Sequence, residues 1–268
     1  PETPEFDLFV KEVVREMTAK AGQKCTAIRR VMVPAGRRDD VASALSQMVS
    51  SKVKMGDPRE EGNTTGALAS FEQVGEVSSS VEKLTAAGGK IAFQSQAPEE
   101  GAFHPVTVLT FDDARNEAVH SIEAFGPVTS IIEYSDIDEA IELAALGEGS
   151  LIATVCTNDR DTAQKVVLGI AAHHGRVLVL NREDAKTSTG HGSPMPHLVH
   201  GGPGRAGGGE ELGGIRAVKH YMQRTAIQGS PNMLTSITGV WHQNADANTV
   251  TRESVDSGEG VHPFRKSL

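Results

Sequence analysis

The sequence predicts an α/β layer fold with a mainly parallel sheet flanked by helices and an extended C-terminal tail. Three observations predict it. Apolar residues recur at helical spacing in several stretches, and short β-branched apolar runs alternate with them. After Tyr221 the chain turns polar and rich in glycine and serine, with Trp241 and Phe264 as its only large anchors. Residues 1–228 are therefore expected as one domain and 229–268 as tail and linker.

Each element follows from local chemistry. Thr3-Pro4 reads as a helix cap with proline in the first turn, and Phe6, Phe9, Val10, Val13, Val14 and Met17 leave one apolar stripe that Gly22 stops. Ile28 to Val33 is a strand ended by Pro34. Val41, Leu45, Met48 and Val49 mark a helix, and Lys54 to Leu68, with its Gly, Pro, Asp and Asn, a long loop. Val74 to Ala87 returns to helical spacing before Gly88-Gly89. Lys90 to Gln94, Val106 to Thr110 and Thr129 to Tyr134 are strands, followed by a helix from Ile137 to Leu146. Strand Leu151–Thr157, helix Thr162–Ala172 and strand Val177–Leu180 complete the alternation.

The bulk numbers narrow the function. An apolar content of 38% and a charged content of 23% over 268 residues suffice for a sizeable core. A formal net charge of −9 argues against nucleic acid, whose backbone needs a basic footprint, and against an anionic membrane surface. No run of apolar residues is long enough to span a bilayer, and the start of the chain carries no basic-then-apolar signal pattern. Two cysteines, Cys25 and Cys156, form no disulfide framework and suit a reducing, cytoplasmic location.

Cys25 carries the chemistry. It stands in Gly22-Gln23-Lys24-Cys25-Thr26, between the first helix and an apolar run. A thiol on a glycine-led loop suits a nucleophile, because the tight backbone admits a substrate and the thiolate reacts. The alternative is a packed structural cysteine, the commoner fate of a free thiol. Cys156, inside an apolar strand, reads as such a core residue. Far downstream lies a second segment, Glu123-Ala124-Phe125-Gly126-Pro127-Val128.

The two segments together resemble the aldehyde dehydrogenase superfamily, whose nucleophile lies in Gly-Gln-x-Cys and whose second signature is Glu-x-Phe-Gly-Pro-Val. A Gly-Asp-Pro step, here Gly56-Asp57-Pro58, often falls between them. The resemblance runs from Gln23 to about Tyr221 and implies that family's catalytic domain. It implies Cys25 as nucleophile, with Glu123 on the nicotinamide ribose hydroxyls of NADP (or NAD) and Phe125 beside the nicotinamide. It also implies a small-molecule aldehyde as substrate and assembly as a homo-oligomer. Asn181 matches a common asparagine of the family and is expected to tie backbone near the site.

In the family the cofactor domain, the general-base glutamate and an oxyanion-binding asparagine precede the cysteine. The chain is therefore expected to be the catalytic half of a dehydrogenase, inactive alone. His200 to Arg205, Gly208 to Gly214, His220 to Pro231 and His262 to Lys266 resemble a narrower group of bifunctional proteins of phenylacetate degradation. These join an NADP-dependent aldehyde dehydrogenase to a hotdog-fold hydratase, and the dehydrogenase part oxidises a CoA-linked semialdehyde. A semialdehyde dehydrogenase of the benzoyl-CoA route shares much of this tail. A CoA-acylating dehydrogenase and a non-catalytic oligomerisation module are the other readings.

Two further constellations compete. Gly202-Pro-Gly204-Arg-Ala-Gly207 spells G-x-G-x-x-G, but prolines and histidines precede it where a dinucleotide fingerprint needs a strand, so a surface loop is expected. His191, His197 and His200 cluster, yet their spacing fits no standard zinc pattern, and no metal is expected.

Overall fold

The computed structural model describes residues 3–188, 190–191, 201–207, 219 and 221–247. The chain forms two compact units, one of Phe9–Gly147 and the other of Glu2–Leu8 with Glu148–Leu268.

The first unit is built on a four-stranded sheet. Its strands are β1 (Arg30–Pro34), β2 (Lys90–Gln94), β3 (Thr107–Thr110) and β4 (Val128–Tyr134), in the order β1-β4-β3-β2. Only the β2–β3 pair is antiparallel, and it carries a register shift between Ile91 and Phe93. Helix α2 (Arg38–Lys52) lies across all four strands. The core beside the site brings Val77, Val81 and Leu84 of α3 (Phe71–Ala86) together with Val119 of α4 (Glu117–Ser121) and Leu143 of α5 (Ile137–Ala145). Leu109, Val128 and Ile132 join them from the strands. The two-residue period of a strand sends Val128 and Ile132 to the same face.

Helix α1 (Pro4–Thr18) obeys its stripe: Val10, Val13, Val14 and Met17 are buried. Thr3 caps it, its Oγ1 accepting from Phe6 N at 3.3 Å. The helix ends at Thr18, earlier than Gly22. Lys20 and Ala21 both take φ near +53 and Gly22 takes +71, so three successive residues are left-handed. That conformation costs about 1–2 kcal/mol per non-glycine residue. It is held by neighbours: Thr65 Oγ1 donates to Thr18 O at 2.9 Å, and Gln23 N closes a turn on Lys20 O at 3.0 Å.

The second unit holds a three-stranded, all-parallel sheet: β5 (Ser150–Cys156), β6 (His174–Leu180) and β7 (Ala226–Gln228), in that order. The middle strand is buried throughout, as a doubly flanked parallel strand should be. Helix α6 (Arg160–Ile170) packs against helix α7 (Pro231–Thr238). Within the stretch expected as an extended tail, residues 231–238 are helical. Ser230 caps α7, Pro231 opens it, Gly239 closes it at φ +67, and Met233, Thr235 and Ile237 are buried. Residues 248–268, including His262 to Lys266, lie outside the described residues.

The elements that were expected stand within a few residues of expectation, while α4 and β7 were not expected; the architecture is α/β with mainly parallel sheets flanked by helices. Cys156 is half-buried rather than a core residue, because β5 is an edge strand that leaves every one of its residues partly exposed.

Candidate active site

Cys25 is exposed. It occupies a tight turn closed by Ala27 N on Lys24 O at 3.0 Å, while its neighbours Thr26 and Ala27 are buried. The turn pushes the thiol outward and anchors the chain as it leaves toward β1. Gln23 holds the loop to α3: its Nε2 donates to Gln73 Oε1 at 3.1 Å, and its Oε1 accepts from Ala69 N at 2.8 Å. Lys24 turns the other way, its Nζ 2.6 Å from Glu16 Oε2 of α1. Glu16 and its neighbour Glu12 are both buried; burial pushes Glu12 up, against the pull of Arg15.

Gly22 brings the two sequence segments together. A Cβ at this position would stand 2.2 Å from Gly126 O and 2.6 Å from Pro127 N, so the cysteine loop rests directly on the backbone of Gly126-Pro127. Gly126 is pinned from the opposite side, where a Cβ would meet Val77 at 2.8 Å. Two short bonds, Gly126 N to Ala124 O and Val128 N to Gly126 O, both 2.8 Å, fold this segment into consecutive three-residue turns. Glu123 is 54% exposed at its side chain, and Phe125 is 38% exposed.

A cavity of about 740 Å³ opens beside this junction. Phe125, Gln23, Gln73 and Lys20 line it together with Pro58 and Thr65. Pro58 comes from the Gly-Asp-Pro step, whose loop is set by Asn63 Nδ2 on Asp57 O at 2.8 Å and by the Asp57–Arg59 pair. The Arg59 guanidinium holds the Asp57 carboxyl at about 2. All three segments that carry the resemblance therefore reach one place.

Sequence reasoning missed Arg29. Its guanidinium donates to Gly126 O at 2.6 Å and to Gly22 O at 2.7 Å, with a longer bond to Lys24 O at 3.4 Å. Its Nε lies 3.8 Å from Glu123 Oε1, and its carbon sits 5.3 Å from the centre of the Phe125 ring. Burial lowers this group to about 10, with Glu123 opposing. The only sequence signal was a basic residue shortly after the cysteine, and its partners are fixed by tertiary structure.

The glycine pattern serves packing, and of the histidine cluster only His191 is described. In Gly202–Gly207, Gly202 N bonds Gly207 O at 2.8 Å around a short 3-10 turn, Gly204–Ala206. Cβ atoms at Gly202 and Gly204 would meet Ser150 O at 2.5 Å and Glu148 O at 2.0 Å, so these glycines serve packing against the start of β5. Neither the strand nor the helix of a dinucleotide fingerprint flanks them among the described residues. His191 is buried, its Nε2 2.5 Å from Thr154 Oγ1; His197 and His200 lie outside the described residues. No group of three metal-ligating side chains forms among the described residues. Asn181 is fully buried and ties the turn after β6, its Oδ1 accepting from Glu183 N at 3.1 Å. No helix among the described residues is long and apolar enough to cross a membrane.

Comparison with known proteins agrees with this geometry. The profile described as "Aldehyde dehydrogenase family" matches residues 2–227. The "Protein MaoC" of Klebsiella aerogenes is 49% identical over 204 residues, covering 75% of this chain and 58% of that protein. A 3,4-dehydroadipyl-CoA semialdehyde dehydrogenase of Aromatoleum evansii is 43% identical over 216 residues, covering 76% of this chain and 41% of that protein. The chain thus spans about half the length of the curated relatives it matches. A betaine aldehyde dehydrogenase point mutant from Staphylococcus aureus, solved in complex with NAD+, superposes with a TM-score of 0.67 at 28% identity, over 78% of this chain and 41% of that one. The chain belongs to the aldehyde dehydrogenase family.

Proposed function

We propose that this chain carries the nucleophile and the nicotinamide-facing segment of an NAD(P)-dependent aldehyde dehydrogenase that oxidises a CoA-linked semialdehyde in aromatic catabolism. One observation carries the reading. An exposed thiol stands on a loop seated directly on the backbone of the segment that presents Glu123 and Phe125.

The Cys25 thiolate adds to the aldehyde carbonyl and forms a thiohemiacetal, toward whose oxyanion the Cys25 backbone N–H contributes a donor. The carboxylate of Glu123 would hold the ribose hydroxyls of the cofactor, and the exposed Phe125 would lie against its nicotinamide. Bound NAD(P) would supply the hydride acceptor that the oxidation of the thiohemiacetal requires. Cys25 then holds the acyl group as a thioester, which stays electrophilic enough for water to release it. The family resemblance assigns the general base and the second oxyanion donor to residues that precede the cysteine.

The resemblance to the phenylacetate-degradation protein PaaZ supports NADP as cofactor, a ring-opened CoA semialdehyde as substrate and assembly as a homo-oligomer. The Aromatoleum evansii relative favours a second reading, the semialdehyde dehydrogenase of the benzoyl-CoA route. A non-catalytic oligomerisation module has no use for an exposed thiol at this junction.

Iodoacetamide labelling at pH 7, followed by peptide mass mapping, tests the nucleophile. Cys25 is expected to react at least about tenfold faster than Cys156. Equal, slow labelling of the two would remove the catalytic reading.

A further inference from the structure

Arg29 is nearly enclosed, 16% exposed at its side chain; its two terminal nitrogens donate to backbone carbonyls, while its buried Nε makes no hydrogen bond. Its two shortest bonds go to backbone carbonyls of different segments. One is Gly22 O, at the head of the cysteine loop; the other is Gly126 O, in the segment that presents Glu123 and Phe125. The bond to Lys24 O reaches the residue before the nucleophile. The remaining nitrogen faces Glu123, and the cation lies over Phe125. One side chain therefore touches the loop that carries the thiol and both proposed nicotinamide contacts. The glycines explain why a side chain is needed: with no Cβ at Gly22 the two backbones lie in contact, yet no backbone hydrogen bond joins Gly22 to Gly126. The guanidinium bridges the carbonyls that this close approach leaves facing inward.

We propose that Arg29 is a positioning residue for the reaction, a clasp that sets the register of the Cys25 thiol against Glu123 and Phe125. The proposal rests on the reading of Cys25 as nucleophile and of Glu123 and Phe125 as nicotinamide contacts. Register matters because reacting atoms must be held about 3–3.5 Å apart and aligned, so a displacement near an ångström costs orders of magnitude in rate. The planar fork is what the site requires: it reaches carbonyls on two segments with separate N–H groups. A lysine ammonium at the same position brings a point charge on a flexible stem and is not expected to substitute.

The test uses this chain, with Arg29→Ala and Arg29→Lys. Cys25 labelling by iodoacetamide at pH 7 is expected to fall about tenfold in both variants, while Cys156 labelling changes less than about twofold. Ethylguanidinium at non-denaturing concentration should restore Arg29→Ala at least about threefold, by refilling the vacated fork site, and leave Arg29→Lys unchanged. A residue that only props up the fold would alter both cysteines and would not be rescued. Labelling of Cys25 within about twofold of wild type in a folded variant overturns the proposal, as does an equal change at both cysteines. If Arg29→Ala does not fold, Arg29→Lys carries the test through hydrogen exchange. Exchange should then rise together in Gly22–Thr26 and Ala124–Val128; a rise in one segment alone overturns the clasp. If wild-type Cys25 labels no faster than Cys156, the catalytic reading fails, while the exchange result still judges the clasp separately.

Discussion

Two glycine-bearing loops in this chain use the same device to different ends. In the first unit Gly22 and Gly126 let backbone rest on backbone; in the second, Gly202 and Gly204 do the same against the start of β5. By motif alone the second loop is the more suggestive, since it spells a phosphate-binding pattern. Its side chains give no chemistry: a proline, an alanine and an exposed arginine surround a short turn. The first loop places a thiol, a carboxylate, an aromatic ring and a buried guanidinium within one neighbourhood. Close backbone approach is thus a structural property that either packing or catalysis can use. The side chains beside it decide which.

The sharpest way to break the comparison is at Gly22. Gly22→Ala places a methyl on a left-handed backbone and 2.2 Å from Gly126 O, and is expected to cost about 4 kcal/mol in urea unfolding. Gly36 is the control: its φ is +77 but its Cβ direction is empty, so Gly36→Ala should cost only about 1 kcal/mol. A similar loss at both positions would mean that backbone conformation, not the contact with the second segment, requires Gly22.

Gly204→Ala, with its Cβ 2.0 Å from Glu148 O, should destabilise the second unit by about 3 kcal/mol while Cys25 labelling stays within about twofold of wild type. A collapse of Cys25 reactivity there would give the second loop a part in the site.

Acid should separate the units next. His120 in the first unit donates Nε2–H to Ala114 O at 2.7 Å and accepts from Arg30 Nη1 on Nδ1 at 2.8 Å. Burial holds it below its ordinary 6.5, and the Arg30 charge acts in the same direction. The unfolded chain therefore takes up the proton first. This stabilisation is complete above 6.5 and is lost as pH falls from there through the folded value. His104 is lowered by burial too. In the second unit Glu5, bridged by Arg182, is lowered from 4.5, so its contribution survives until pH falls below that value. Hydrogen exchange at pH 7.5 and 5.5 should show protection falling first in the first unit, and His120→Gln should shrink that difference. The smallest effect is expected at Glu5→Gln, about 1 kcal/mol, since Arg182 is half exposed and screened by solvent.

Much of the fold was legible because its helices keep their apolar stripes and its strands are short β-branched runs. The proposed site was nameable from sequence as far as Cys25, Glu123 and Phe125, because those residue types stand in segments of recognisable order. Arg29 was not, because a guanidinium that bridges two carbonyls leaves no pattern in the sequence beyond its own presence. Helix α7 did leave signals, Ser230-Pro231 before it and Gly239 after it, but its eight residues were hidden by polar, glycine- and serine-rich flanks. The division into two sheets was invisible, since the alternation of elements is the same on both sides of Gly147.

The left-handed stretch Lys20-Ala21-Gly22 has a consequence for which sequences can precede Cys25. Glycine at 20 or 21 would relieve about 1–2 kcal/mol of backbone strain and forfeit about 0.4–1 kcal/mol by loosening the unfolded chain, a nearly neutral exchange. Branched residues are closed there by their crowding at Cβ. Divergence around Cys25 is therefore channelled: position 20 can drift toward glycine or asparagine, the buried position 21 toward glycine alone, and valine, isoleucine and threonine should be absent from functional descendants of this chain.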